Sequence, residues 1–321
     1  MSIKSSIISN RSDLGALLAK EHPGRYFANH PLASYTTSGT GGQADHLVIA
    51  ANSADIWHSY HLALEADLPV TLIGGGSGVL VSDVGCPGLV IINRARGIWF
   101  DTTNNQVLLE SGVLNRALVI GAYEREMGAV EWLLGVPGTI GGAVATQAGF
   151  DGQFLTPLIK EVTVAGRVES KISVIHLAAD QLKLLPDLLA GAAVTDGSRP
   201  VILSVKLQLT RLPQLQIKAR MDRIRNRVER WSRVSALIGY CWAPSRAVDE
   251  RRLAKELRLA NLRLLDSRLA RVVGRGVNSR LLRNQVERWQ DHLERQTGQA
   301  LARRLEYLGY WPDDEQGIPT G

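Results

Sequence analysis

A chain of 321 residues, 45% hydrophobic and 21% charged, is long enough for two or three compact domains and has the composition of a globular protein. It shows no apolar run of membrane-spanning length and no leader-like apolar stretch near the N-terminus, so a cytoplasmic protein without membrane contact is expected. The net charge of +6 gathers late: residues 218–309 hold 22 Lys and Arg against 10 Asp and Glu, a balance suited to an anionic substrate, an acidic protein or nucleic acid.

In chain order, residues 44–50 (ADHLVIA) read as a strand and residues 53–67 as a helix with Ser53 as its N-cap. Residues 68–83, LPVTLIGGGSGVLVSD, give a strand, a glycine turn and a second apolar run. Residues 87–100 and 104–113 are further strands. Residues 115–135, NRALVIGAYEREMGAVEWLLG, have the length and period of one helix that runs into GVPGTIGGAVATQAGF, residues 135–150. Three strands follow at 160–166, 170–177 and 199–209. From residue 217 the pattern changes to Arg-rich helical segments, with Ile224, Val228 and Trp231 at helical spacing and a short apolar piece at 268–278. The tail, 310–321, reads as loose. Cys86 and Cys241 are too few for a disulfide framework and lack metal-ligand spacing, so no metal is expected.

Two loops carry a chemical signal. Consecutive glycines after the strand at 70–73 let backbone N–H groups converge into a nest that suits phosphate oxygens, and Ser77 adds a hydroxyl. The loop lacks the Lys of a Walker A motif and is not G-x-G-x-x-G. In the second loop Pro137 and Gly138 make a turn, and Gly141 and Gly142 leave the backbone bare again. Two such loops on one chain suit a shared, long, phosphate-bearing ligand.

TTSGTGGQADHLV, LIGGGSGVLVSD, ESGV, AVEWLLGVPGTIGGAVATQAG and VILSVKLQL, in this order, resemble the UDP-N-acetylenolpyruvylglucosamine reductases, the MurB flavoproteins of peptidoglycan synthesis. The likeness is specific over residues 29–150 and continues more weakly to Gly309. It implies an α+β chain: a vanillyl-alcohol-oxidase-like two-lobed FAD-binding domain (lobes 1–85 and 86–216), then a MurB-like C-terminal α/β domain rich in Arg helices (217–309) and the tail. It also implies FAD as cofactor and NADPH as electron donor; the FAD is expected to be non-covalent, because no His or Cys falls in a loop suited to flavin attachment. By motif, Gly74, Gly75, Gly76 and Ser77 would cradle the FAD diphosphate, with Gly78 where the family usually has Asn. Thr36, Thr37, Gly41 and Gly42 belong to the first motif. Pro137, Gly138, Thr139, Gly141 and Gly142 would lie along the isoalloxazine and ribityl region, and Gln147 replaces the family's Asn.

The resemblance fails at the family's proton donor and enolate stabilisers. The Ser of its G-S-x-F-K-x-P motif falls on Gly239, its Tyr-Arg dipeptide occurs nowhere, and its late Glu becomes Arg304. His176, Tyr240, Cys241 and Glu306 are the candidate replacements. Three readings follow: a MurB-like FAD-binding oxidoreductase with altered redox chemistry on a small anionic substrate, an active UDP-N-acetylmuramate dehydrogenase, or a non-catalytic flavin-binding scaffold with a basic partner-binding face.

Overall fold

The computed structural model describes residues 11–168, 171–184, 199–232, 237–240, 262–266, 269–272, 277–297 and 305–311. The chain divides into two compact units that interleave in sequence. One draws on Met1–Ala28, His46–Gly75 and Gly88–Arg230, the other on Asn29–Asp45, Gly76–Pro87 and Trp231–Gly321.

The first unit is built on two sheets. One is ordered Tyr26–Pro31, Gln43–Ala50, Cys86–Asn93, Val70–Ile73, and its last two strands run parallel with Ile73 opposite Ile92. Leu89, Val90, Ile91 and Ile92 are all buried, the continuous apolar run of a strand covered on both faces. The helix Ser53–Glu65 lays Ile56, Tyr60, Ala63 and Leu64 into one core with Leu89 and Ile91, joined by Leu14 and Leu18. Its N-cap is Asn52, whose side chain accepts the Asp55 N–H at 2.8 Å. Ser53, the expected cap, instead donates its hydroxyl to the Leu203 carbonyl at 3.0 Å.

The second sheet is antiparallel, ordered Lys171–Ala178, Ile159–Val168, Val201–Gln208, Gln106–Glu110, Ile98–Asp101. Val107, Leu109, Val162, Val205 and Leu207 are buried, while Trp99 and Leu108 face outward, the period of two that one covered face imposes.

The long helix expected over 115–135 is three pieces: a helix Asn115–Tyr123, a two-residue strand Met127–Gly128 and a 3-10 turn Glu131–Gly135. Glu126 and Ala129 take positive φ values of 56° and 86°, which no α-helix accommodates. Pairing of Met127–Gly128 with Thr210–Arg211 overrides the local period. The Arg-rich helix Gln214–Ser232 buries Ile217, Met221 and Ile224, with Val228 half-buried. Its outward cations largely find acids: Lys218 and Arg225 reach Asp222, Arg220 reaches the buried Glu131, and Arg227 reaches Asp151. That is the pattern of a solvated, ion-paired helix face.

The second unit holds an antiparallel sheet ordered Leu237–Tyr240, Leu269–Val272, Leu262–Asp266, so strands join the expected helices in the last third. The helix Ser279–Thr297 buries Leu282, Val286 and Trp289. Its start is tied to Asp83, whose carboxylate accepts the Ser279 N–H at 2.6 Å while the Ser279 hydroxyl accepts the Asp83 N–H at 2.9 Å. Val79–Val81 pairs in parallel with Glu306–Leu308.

Candidate functional site

Strand Val70–Ile73 ends in the first glycine loop, and in the first unit that loop abuts the second one. A Cβ on Gly74 would lie 2.5 Å from Thr139 Oγ1, and one on Gly75 only 2.6 Å from Gly138 Cα. Both glycines are therefore required by contact with the protein's own backbone and cap. Gly138 has a φ of 105°. Thr139 caps the short helix Ile140–Ala145, its hydroxyl accepting the Gly142 N–H at 3.3 Å. The Gly141 N–H goes to the Ser111 carbonyl at 2.8 Å, and a Cβ there would meet Ser111 Cβ at 2.7 Å. Gly142, by contrast, has only Thr139 Oγ1 at 3.5 Å from a built Cβ, and it is exposed, as is Pro137. Gln147 is also exposed and closes the helix at a φ of 48°, its N–H on the Val144 carbonyl.

Two further side chains hold these loops. Asn115 is buried; its N–H donates to the Gly138 carbonyl at 3.1 Å and its amide nitrogen to the Val136 carbonyl at 2.9 Å, so one residue holds both sides of Pro137. Arg94 donates to the Gly74 carbonyl at 3.2 Å. Neither was singled out by sequence reading. The available signal was position: Arg94 directly closes the apolar run 89–92 plus Asn93, and Asn115 opens a helix ahead of the second loop.

In the second unit the Gly76 carbonyl receives both the N–H (2.9 Å) and the hydroxyl (3.1 Å) of Thr37. Gly76 sits at a φ of 69°, and a Cβ there would run into the Tyr35 carbonyl. Thr36 turns its hydroxyl inward to the Thr40 carbonyl at 2.8 Å. Gly41, at a φ of 132°, packs on Val81, and Gly42 lies on the Asp83 carbonyl with its N–H bonded to the Ser82 carbonyl. Ser77 is half-buried. Along the first loop, the N–H groups of Gly75, Gly76 and Gly78 meet no carbonyl among the described residues. Backbone N–H groups of a glycine loop are donors of the kind that suit phosphate oxygens.

The expected acid–base positions are dispersed. Gly239 lies in the strand Leu237–Tyr240 at a register shift: Ile238 pairs with Ala270 and Tyr240 with Leu269, which leaves Gly239 as the extra residue of a bulge. Glu306 is exposed at the start of the strand beside Val79–Val81. His176 stands on the outer face of an edge strand, exposed, 3.3 Å from Glu161 and 3.2 Å from Thr163. Cys241 and Arg304, and the side chain of Tyr240, lie outside the described residues. Among the described residues no His, Cys, Asp and Glu cluster could hold a metal ion, and no helix is long and apolar enough to cross a membrane.

A model of the FAD binding domain family matches residues 44–168, the stretch that contains both glycine loops. That stretch of the chain is similar to FAD-binding domains. The UDP-N-acetylenolpyruvoylglucosamine reductase of Acaryochloris marina is 39% identical over 132 residues, 41% of this chain and 43% of that one. The enzyme of the same description from Synechococcus sp. WH7803 is 31% identical over 169 residues, 52% of this chain and 54% of the relative. The chain thus spans about half the length of the curated relatives it matches. In fold the likeness extends further. The crystal structure of MurB from Thermus caldophilus aligns over 88% of this chain and 98% of its own, with a TM-score of 0.63 and 21% identity. The mixed helix-and-strand FAD-binding fold expected from sequence agrees with this likeness.

Proposed function

We propose that the chain binds FAD non-covalently and works as a MurB-like oxidoreductase whose proton chemistry differs from the family's. The observation that carries this reading is the glycine loop 74–78, seated by Gly74 and Gly75 on Thr139 and Gly138, with N–H groups that meet no carbonyl acceptor among the described residues. In this reading Gly74, Gly75, Gly76, Ser77 and Gly78 face the diphosphate, and Thr36, Thr37, Gly41 and Gly42 shape the loop from within. Pro137, Gly138, Thr139, Gly141, Gly142 and Gln147 border the flavin. FAD bound there supplies hydride transfer, with NADPH as the donor and a small anionic substrate as the acceptor, in the cytoplasm.

Hydride addition to a carboxylated enol builds charge that needs an acid and an electrophile. Gly239 has no side chain to donate a proton, and Arg304 carries the opposite charge to the family's Glu. Losing both costs on the order of several kcal/mol of barrier, about a thousandfold or more in rate. The purified protein is expected to show flavin absorbance, or to acquire it when FAD is added. It is expected to oxidise NADPH with UDP-N-acetylenolpyruvylglucosamine no faster than background. A colourless protein that stays colourless with added FAD overturns the reading; turnover at rates ordinary for an enzyme makes it an active UDP-N-acetylmuramate dehydrogenase.

A further inference from the structure

Arg94 meets the first glycine loop from outside both motifs. It follows the buried strand Cys86–Asn93, and its backbone is fixed there: the Arg94 N–H bonds to the Ala50 carbonyl at 2.8 Å. Asn93, buried, accepts the Ala95 N–H at 3.0 Å and donates to the Ser111 hydroxyl at 2.8 Å. From this anchored turn Nη1 donates to the Gly74 carbonyl at 3.2 Å.

A trans peptide holds its carbonyl and the following N–H in one plane, pointing in opposite directions. A guanidinium that holds the Gly74 carbonyl therefore directs the Gly75 N–H to the far side, where no carbonyl among the described residues takes it. Two consecutive glycines impose little dihedral preference of their own, so the orientation of this peptide depends on its partner. We propose that Arg94 is a positioning residue for the diphosphate of FAD: it acts through the Gly74–Gly75 peptide, presenting the Gly75 N–H to a phosphate oxygen, and does not itself neutralise the ligand. The inference rests on the FAD reading above. Without Arg94 the peptide samples both orientations, and apparent affinity falls by the fraction of time the donor is misdirected.

The test is a fluorescence titration of the flavin-stripped full chain with FAD, and with riboflavin as a ligand lacking phosphate. Wild type, Arg94→Met and Arg94→Lys are compared at low and high salt. Arg94→Met is expected to raise the Kd for FAD about tenfold, the scale of one hydrogen bond made by a charged group, and to leave the Kd for riboflavin unchanged. Arg94→Lys, which keeps one donor, is expected to recover much of the loss. The ratio of mutant to wild-type Kd stays constant with salt, because the hydrogen bond to Gly74 is internal to the protein. A ratio that collapses towards one at high salt overturns the positioning role in favour of direct charge contact. An unchanged Kd for FAD, or an equal loss for riboflavin, overturns it outright. If Arg94→Met does not fold, Arg94→Lys decides: a rise of a few-fold for FAD alone supports the role, and no rise removes it. Wild type that binds no FAD overturns the functional reading and this inference together, whereas tight binding by wild type and both variants overturns only the inference.

Discussion

Gly76 and Gly142 both belong to glycine loops, yet a side chain would meet different things at each. At Gly76 a methyl group points into the Tyr35 carbonyl and the backbone sits at a φ of 69°, so an L-residue incurs both steric and dihedral strain. Gly76→Ala is expected to cost about 2–3 kcal/mol, read as a lowered denaturation midpoint. At Gly142 a built Cβ meets only Thr139 Oγ1 at ordinary contact distance, inside a short helix where Ala is the better former. Gly142→Ala is expected to leave stability unchanged or raise it by about 0.5–1 kcal/mol. Equal losses at the two positions would contradict this distinction. The same contrast shows what was legible. Composition marked every loop glycine as bare backbone. It did not reveal that the space beside Gly74, Gly75, Gly42 and Gly141 belongs to Thr139, Gly138, Asp83 and Ser111, because those neighbours are brought in by the fold.

At the scale of elements, the entry of helix Ser53–Glu65 carries a charge cluster with a pH signature. Asp55 binds the Arg25 guanidinium and accepts the Ala51 N–H at 2.8 Å, with His22 Nδ1 at 3.9 Å and His22 Nε2 on the Ser59 hydroxyl at 2.8 Å. Burial pushes the His22 ring below its ordinary value near 6.5, against the raising effects of Asp55 and Glu21 and together with Arg25 and His58. Burial pulls the Asp55 carboxyl up, but the Arg25 hydrogen bond and the Ala51 N–H outweigh it and hold the carboxyl low. Both folded values lie below their unfolded ones. The stability that the neutral His22 ring contributes is whole above about 6.5 and is lost as pH falls through the folded value. The contribution of Asp55 persists to lower pH and is lost only as its depressed value is passed. The thermal midpoint is therefore expected to fall between pH 7 and pH 5, and His22→Gln to flatten that slope whatever it does to the midpoint at neutral pH. Parallel pH profiles would assign the acid sensitivity elsewhere. Helix existence here was plain from the apolar period of residues 53–67. Its cap was misassigned by one residue because Asn52 and Ser53 are both good caps, and only the Leu203 carbonyl, from a distant strand, decides between them. The overlong helix at 115–135 failed for a related reason: the period continues past Tyr123, and strand pairing to Thr210–Arg211 terminates it.

For the whole molecule, strand order and the two interleaved units were beyond reach of a linear reading, since residues 29–45 and 76–87 cluster with 231–321. What the linear reading offers instead is a proposed asymmetry: motifs resembling the MurB FAD-binding loops stand nearly complete, while three groups expected from that resemblance's acid–base set have no counterpart. That asymmetry sets the last prediction. If the reductase reaction needs all three groups at once, restoring one hydroxyl has little effect. Gly239 also occupies a bulge between Ile238 and Tyr240, where a bulged strand re-aims its side chains, so a serine there need not face the flavin. Gly239→Ser is expected to bind FAD as wild type does and to remain within about threefold of background NADPH oxidation with the enolpyruvyl substrate, since an isolated general acid contributes its hundredfold or more only in a positioned site. A rise of a hundredfold on this single change would mean that the rest of the acid–base machinery is present under other residues, with Glu306 the first to replace by Gln. No rise, with flavin retained, would leave an FAD protein of MurB fold whose acceptor is to be sought among compounds that take up hydride without a protein acid at this position.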